Sequence, residues 1–487
     1  MSTRLQSASA SPLRWVAAAF LCATLAAATQ ANVDDLPMLG DASSSRISPD
    51  LEREIGGQFL KRLHSALPTV SDPILKYWVN WHISDLAQHS QLRDPLMQVV
   101  LIDNREINAF AAPGGVVGIN LGLMLAANDV HEYSSVIAHE LAHLSQRHFA
   151  RGIEEQRAQT LPTVAGLLAA IMIGALGGSD VGIAAVSAAQ AAAQSSQLRY
   201  SRTREQEADR IGLSTMMRAG LDPAGMSRMF ESMQQAFRFT RRPPEFLLTH
   251  PLSESRVADA RQQVMMLPVK QYEDSLDYAL MRARATVHYA ETPHVAVKQF
   301  ERAVRNDPES APARYGLALA LSRTGDHQQA LALSDALFSQ DQTKILYIAA
   351  YGELLTEAKK YDQAERLLSH HLTLNPDNAP LAMLYADNLT KQQKHAEAVA
   401  VLSRQSRARP DDVDVWYNLA EVSGLAGDII GVHRARAEYF ALHGGYQKAI
   451  QHLEYARRLA DRDNKQLLAR LDQRINDLRT ALRVAQS

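Results

Sequence analysis

Residues 139–143 read His139-Glu140-Leu141-Ala142-His143, and Val136 and Ile137 precede them on a helical pattern. Four residues of α-helix turn through about 400°, so both imidazoles leave one face, one turn apart. That spacing lets two ring nitrogens reach one Zn2+ ion at about 2.0–2.1 Å. Glu140 is angled beside the metal, where it can hold a water and accept its proton. A zinc hydrolase also needs a third protein ligand and an open fourth position. The candidate is Glu205-Gln206-Glu207-Ala208-Asp209. On a helix Glu205, Ala208 and Asp209 share a face, while Glu207 points elsewhere. Glu205 is then the carboxylate ligand, and Ala208 lets this helix pack close to the first. Asp209 accepts a proton from a ligand histidine and fixes its tautomer. Taken alone, this segment reads as a charged, solvated helix face; the upstream motif gives it meaning. His148 lies five residues beyond His143, about 140° away on a continuing helix. It reads as structural, as do His131, His64, His82 and His89.

Ahead of the motif the pattern is helical from Leu51, with Ile55, Phe59 and Leu63 recurring at i+4. After Pro73, Ile74, Trp78, Trp81 and Leu86 continue in the same manner. Met97 to Ile102, Ile107 to Phe110 and Val116 to Ile119 read as short strands, the last two separated by a Pro113-Gly114-Gly115 turn. Helices then dominate to about Leu267. The fold expected is mainly α, with a small sheet beside the zinc helix.

The second half repeats. Ala296, Ala330, Ala364 and Ala398 are spaced by 34 residues, and Val432 falls at the next step. Gly325 and Gly427 occupy the turn position three steps apart, with Lys359 and Gln393 filling the frames between. Pro308, Pro376 and Pro410 keep the same frame and terminate the second helix of each unit. A 34-residue period of paired helices resembles the tetratricopeptide repeat. The array is expected from about 275 to 487 as an α-solenoid with a concave binding face. Gly444 follows Gly427 by only 17 residues, so the period is irregular near the end.

At the N-terminus, Arg4 and Arg14 precede an apolar run from Trp15 to Ala28, followed by small residues and then Asp34 and Asp35. This is the pattern of a cleavable secretory signal peptide, with cleavage after Ala31 or Ala28. The run is shorter than the ~20 residues of a comfortable membrane span. Its removal takes Arg4, Arg14 and Cys22 and leaves an acidic chain without cysteine. Residues 1–31 are therefore expected to be the signal peptide, 32–270 the peptidase domain and 271–487 the repeat domain. Export in a bacterial style points to the periplasm. The whole sequence carries 51 basic and 53 acidic residues, a net charge of −2, which offers no reason to expect nucleic acid. Leu161 to Gly178 holds no charge, and Val181 to Gln194 continues it in more polar form. The segment 161–194 reads as a helical hairpin over the active-site cleft, in preference to a membrane-touching element; a hinged lid is a third reading.

H-E-x-x-H followed by E-x-x-A-D resembles the signature of the zinc metallopeptidases that include the CAAX prenyl proteases and the HtpX-like heat-shock proteases. Asn108 to Gly115 resembles that family's strand and turn before the zinc helix. Thr249-His250-Pro251 with Arg256 resembles its later His-Pro segment. The layout of signal peptide, peptidase domain and repeat array resembles the family's periplasmic members with a role in outer-membrane protein assembly. The resemblance implies one Zn2+ per chain, held by His139, His143 and Glu205, with Glu140 as general base. It implies that His250 can approach the open metal position, either blocking it at rest or stabilising the oxyanion. Asn108 is a candidate for substrate or oxyanion contact, with a turn residue as the plainer reading. Asp209 and Arg256 stand behind the ligands. The implied substrates are misfolded or stalled outer-membrane proteins. The implied partner is the β-barrel assembly machinery, met through the repeats, with peripheral outer-membrane association. The alternative is an assembly scaffold or chaperone whose peptidase site is largely silent.

Overall fold

The computed structural model describes residues 47–155, 202–238 and 245–486. The expected signal peptide, most of the lead-in that follows it and the apolar segment 161–194 lie outside the described residues. From Ile47 onward the chain forms one compact unit.

Helix α1 (Pro49–Ala66) opens on Ser48, whose side chain accepts the Leu51 amide, with Pro49 in the first turn, where its missing N–H costs nothing. The i+4 spacing read from the sequence buries Ile55, Phe59 and Leu63. Helix α2 (Pro73–Gln88) is capped by Asp72 and buries Ile74, Trp78, Val79, His82, Ile83 and Leu86. Trp81 is 53% exposed, so it does not belong to the buried face that the sequence pattern gave it. Strands β1 (Gln98–Ile102), β2 (Ala109–Ala112) and β3 (Val116–Asn120) form one sheet in the order β1-β3-β2. β1 runs parallel to β3, with Gln98 opposite Val116; β2 runs antiparallel, with Ala112 opposite Val116. β2 therefore begins and ends two residues later than Ile107–Phe110. Gly114 and Gly115 both take a positive φ, so the turn is tight and pairing runs right up to Ala112. A side chain at Gly114 would fall 2.7 Å from the Glu52 carbonyl oxygen, so the turn also sits closely on α1.

Helix α3 (Gly122–Ala126) leads into α4 (Val130–Ser145), capped by Asp129 and buried from Val130 through His143. Helices α5 (His148–Glu155), α6 (Arg202–Arg218), α7 (Ala224–Arg238), α8 (Glu245–Thr249) and α9 (Glu254–Met265) complete this half. α6 lies tightly on α4: Ala208 is fully buried, and a Cβ on Gly212 would come 3.2 Å from the His139 backbone nitrogen.

The array follows as α10 (Leu276–His288), α11 (Pro293–Asn306), α12 (Ala311–Thr324), α13 (His327–Gln340), α14 (Ile345–Glu357) and α15 (Tyr361–Leu374). It continues through α16 (Ala379–Lys391), α17 (His395–Ala408), α18 (Val413–Leu425), α19 (Ile429–Leu442), α20 (Tyr446–Leu459) and α21 (Lys465–Gln486). The alanines at 296, 330, 364 and 398 have no exposed surface, as close helix pairing requires. Pro308, Pro376 and Pro410 each follow a helix end by two residues. Gly325 and Gly427 adopt φ of 88° and 78° at the turns, and Lys359 and Gln393 are forced into the same left-handed region at 60° and 64°. Gly444 repeats the device with φ 71° between α19 and α20. A tight turn here joins successive units, and that breaks the 34-residue period.

The array packs onto the first half. The Tyr278 hydroxyl donates to the Met124 and Ala127 carbonyls at 3.0 and 3.1 Å. Arg284 reaches Asp72, the cap of α2, at 2.5 Å and Glu353 of α14 at 2.8 Å. Lys76 of α2 bonds Asp412 at 2.9 Å and Asp414 at 2.5 Å, at the start of α18. One apolar core runs from Val70 and Trp78 through Tyr133 and Tyr278 into the repeats. No described helix is long and apolar enough to cross a membrane.

Candidate metal centre

Four side chains meet beneath α4: His139, His143, Glu205 and His250, all buried, each offering one ligand atom within 4.8 Å of the others. The two α4 histidines point Nε2 inward, 3.0 Å apart. Glu205 comes from the first turn of α6 and sets its two oxygens 3.5 Å from His139 Nε2 and 3.5 Å from His143 Nε2. His250, just past α8, places Nδ1 3.2 Å from Glu205 and 3.4 Å from His139 Nε2. Phe246, one turn earlier, stacks on its ring. Glu140 is wholly buried, and the Ala111 backbone of β2 reaches its carboxylate. His250 Nε2 lies 3.5 Å from one Glu140 oxygen.

The groups behind the ligands hold them in orientation. His139 Nδ1 donates to Asp209 at 2.9 Å, which turns Nε2 toward the position a metal would take. Arg256 grips Asp209 through two nitrogens, both at 2.7 Å, and reaches Glu205 at 2.8 Å. It also donates to the Pro251 carbonyl at 2.9 Å, next to His250. One guanidinium thus ties α6 to the segment that carries His250. Its place is set by Ser253, which caps α9 through the Arg256 amide. Asn108 is buried immediately ahead of β2, with its carbonyl accepting the Asn120 amide. The sheet places it, and it is not among the four clustered side chains.

Electrostatics separate the two glutamates. Burial alone would raise the Glu205 carboxyl, but attraction to His250 and hydrogen bonds from His139 and His250 hold it well below the ordinary range. Burial also dominates at Glu140, and there it prevails and pushes the carboxyl up. Burial drives His143 well below 6.5, so it is a neutral donor. Burial would lower His139 too, but hydrogen bonds to Asp209 and Glu205 carry it to about 9. The donor set suits a dication. Glu205 and Asp209 are buried with Arg256 as their shared guanidinium, and Glu140 is buried without an ion pair to it. Buried charges demand compensation, and two imidazole nitrogens plus one carboxylate are the ligands a tetrahedral divalent ion takes.

His148 is where the sequence reading goes astray. The 140° argument requires α4 to continue, but the helix ends at Ser145 and Arg147 turns with φ 50°. His148 starts a new helix and comes back to His143, Nδ1 to Nδ1 at 2.7 Å. Its Nε2 meets Glu207 at 3.1 Å, so the residue that faces away from the ligand cavity still touches a ligand through one intermediary. Burial lowers His148 to about 4. No local signal marks this break, because arginine is not a residue that announces a left-handed turn. The other histidines set aside on the sequence do stand apart from the centre. His82 stacks on Trp78 and bonds Ser134, and His131 accepts the Asp222 amide.

Residues 73–264 match the peptidase family M48, and residues 355–422 match the tetratricopeptide repeat. A relative from Vibrio cholerae is 33% identical over 458 residues, covering 93% of this chain and 94% of its own. The beta-barrel assembly-enhancing protease of Escherichia coli strain K12 is 30% identical over 464 residues, 95% of each chain. The mitochondrial metalloendopeptidase OMA1 of Bos taurus is 33% identical over 160 residues, 32% of this chain and 30% of its own.

Proposed function

Since the chain belongs to peptidase family M48, among the beta-barrel assembly-enhancing proteases, and is a metalloendopeptidase, we propose that it is a periplasmic zinc enzyme of outer-membrane protein quality control. Its substrates in this reading are misassembled outer-membrane proteins, and it also assists assembly as a chaperone. The observation that carries the reading is the convergence of His139, His143, Glu205 and His250 around one point, beside the buried carboxylate of Glu140.

His139, His143 and Glu205 would hold one Zn2+ per chain. Once bound, that ion supplies Lewis-acid polarisation of the scissile carbonyl and acidifies a water. Glu140 takes the proton of the attacking water and returns it to the leaving amine. Its carboxylate can do so because no guanidinium pairs with it and burial favours the protonated form. Asp209 and Arg256 keep His139 in the metal-binding tautomer and Glu205 ionised. His250 is a removable fourth ligand: as neutral imidazole it closes the site, and once displaced it can donate to the oxyanion. Asn108 stands at the head of β2, an edge strand that can align an extended substrate backbone. The signal peptide of residues 1–31 directs export, and the repeats dock the β-barrel assembly machinery at the outer membrane. The relatives' name supports this assignment.

The test compares zinc content and cleavage of an unfolded outer-membrane protein in the unaltered chain, Glu140→Gln and His250→Ala. Glu140→Gln should retain zinc and lose cleavage, and His250→Ala should cleave at least as fast as the unaltered chain in the resting state. If Glu140→Gln still cleaves, the base assignment is wrong. If no metal-loaded form cleaves and cells tolerate Glu140→Gln, an assembly scaffold replaces the peptidase reading.

A further inference from the structure

We propose that His148 and Glu207 form a two-residue relay that fixes the tautomer of His143. The proposal rests on His143 being a metal ligand. A histidine that binds through Nε2 must carry its proton on Nδ1 and needs an acceptor there. For His139 the acceptor is a carboxylate, Asp209 at 2.9 Å, itself held by Arg256. At His143 the group at that position is another imidazole, His148 Nδ1 at 2.7 Å. Two ring nitrogens share a hydrogen bond only when one is protonated and the other is not. With the proton on His143, His148 accepts at Nδ1 and carries its own hydrogen on Nε2. That hydrogen points at Glu207 Oε2, 3.1 Å away. Glu207 is in turn held by Arg151 Nη1, at 3.1 and 3.2 Å from its two oxygens. The sequence Arg151–Glu207–His148–His143 therefore matches Arg256–Asp209–His139, with one imidazole inserted as a spacer.

The spacer has a geometric reason. Asp209 shares a helix face with Glu205 and reaches the ligand histidine directly, whereas Glu207 leaves α6 on another side. The break at Arg147 brings a buried imidazole into the gap, and its side chain has no exposed surface. Glu207 keeps 31% of its side chain exposed, so the relay runs from the solvent edge to the metal position. His148 and Glu207 are positioning residues, and they act on the metal only through His143.

The experiment measures zinc affinity by chelator competition, with zinc alone as ligand, at one fixed neutral pH. The full mature chain is used in unaltered form and as His148→Phe, His148→Gln and Glu207→Ala. Glutamine keeps one acceptor and one donor; phenylalanine keeps the ring volume and neither. His148→Phe should weaken zinc binding by about 10- to 100-fold, the range typical for lost ligand-orienting partners. His148→Gln should stay within about threefold of the unaltered chain, and Glu207→Ala should lose about 3- to 10-fold. A packing role would rank the two His148 variants the other way. Zinc affinity in His148→Phe within twofold of the unaltered chain overturns the relay, as does a Gln variant no tighter than Phe. If His148→Phe does not fold, the surface-accessible Glu207→Ala decides, and unchanged affinity there overturns the relay. Failure of the unaltered chain to bind zinc overturns the metal reading itself, and the relay with it.

Discussion

Zinc affinity should depend on a residue with no side chain. Gly212 sits on α6 two turns past Glu205, where the helix meets the backbone of α4. A Cβ at this position would lie 3.2 Å from the His139 nitrogen, 3.2 Å from Met226 Cε and 3.3 Å from the Ala138 carbonyl carbon. Favourable carbon contacts begin near 3.5–4.0 Å, so Gly212→Ala requires the helices to separate by roughly 0.3–0.5 Å. Met226 can move aside, but two of the three neighbours are backbone. Ligand distances in a working zinc site hold to about 0.2 Å. The displacement exceeds that tolerance and falls on Glu205 relative to His139 and His143. Overpacking of this kind costs about 1–3 kcal/mol. If half of that cost is met only when the ligands close on the ion, zinc binding weakens by about 2- to 12-fold. Gly212→Val should weaken it further. Gly220→Ala is the control: its φ is 74° and nothing lies within 4 Å, so it should cost about 1 kcal/mol of stability and leave zinc affinity unchanged. Chelator competition on the three variants separates the effects. The reasoning fails if Gly212→Ala binds zinc within twofold of the unaltered chain, or if Gly220→Ala weakens binding as much.

Four other outcomes follow from the geometry. Lys359 and Gln393 hold left-handed turns with exposed side chains, so Lys359→Gly and Gln393→Gly should each raise stability by about 0.5–1 kcal/mol; a lower urea midpoint would refute this. Gly325→Ala should lower it by about 1 kcal/mol, because only the φ of 88° opposes the methyl group. His82, buried against Trp78, is lowered by burial to about 4. Between pH 6.5 and 4 the unfolded chain then binds the proton that the folded chain refuses. Stability falls as pH drops through that window, by up to about 1.4 kcal/mol per unit, and His82→Gln should flatten the profile of denaturation midpoint against pH. A profile unchanged by His82→Gln would exclude this residue as its source. Arg284→Met should destabilise the chain by up to about 3–5 kcal/mol, because it leaves the half-buried carboxylates of Asp72 and Glu353 without their guanidinium. A loss below about 1 kcal/mol in urea unfolding would mean water reaches the pair.

What could be read from the sequence was periodic or local. The 34-residue alanine frame gave the solenoid because each repeat must bury the same small residue against its partner helix. The i, i+4 histidines gave a ligand face because the helix itself sets their spacing. The features that escaped depend on where elements stop or on residues far apart in the chain. Trp81 fits the apolar rhythm of α2 yet faces solvent, since periodicity does not say how wide a buried face is. β2 is shifted because the tight Gly114-Gly115 turn governs pairing, not the apolar content of Ile107-Asn108. His148 joins the site only through a helix break that Arg147 does not signal. Arg284 unites Asp72 and Glu353 across 281 residues of sequence, from residue 72 to residue 353, and no pattern within any one segment shows that.

The roles proposed for the two glutamates rest on their surroundings as well as on the motif. Glu205 and Glu140 share one buried cavity, so burial acts on both in the same sense. They differ in partners. Glu205 has Arg256 at 2.8 Å and three imidazoles within 3.5 Å, which fix its orientation and its charge. A carboxylate so held is a good ligand and a poor base, since taking a proton would forfeit those interactions. Glu140 makes no salt bridge to Arg256; His250 Nε2 lies 3.5 Å away, and the Ala111 backbone and His139 favour its charged form. It has less to lose by accepting a proton, and burial favours the neutral form it then adopts. Environments that push like groups apart assign acid–base roles. His250 lies against both carboxylates, so its withdrawal would leave Glu205 anchored by Arg256 and open Glu140 to water.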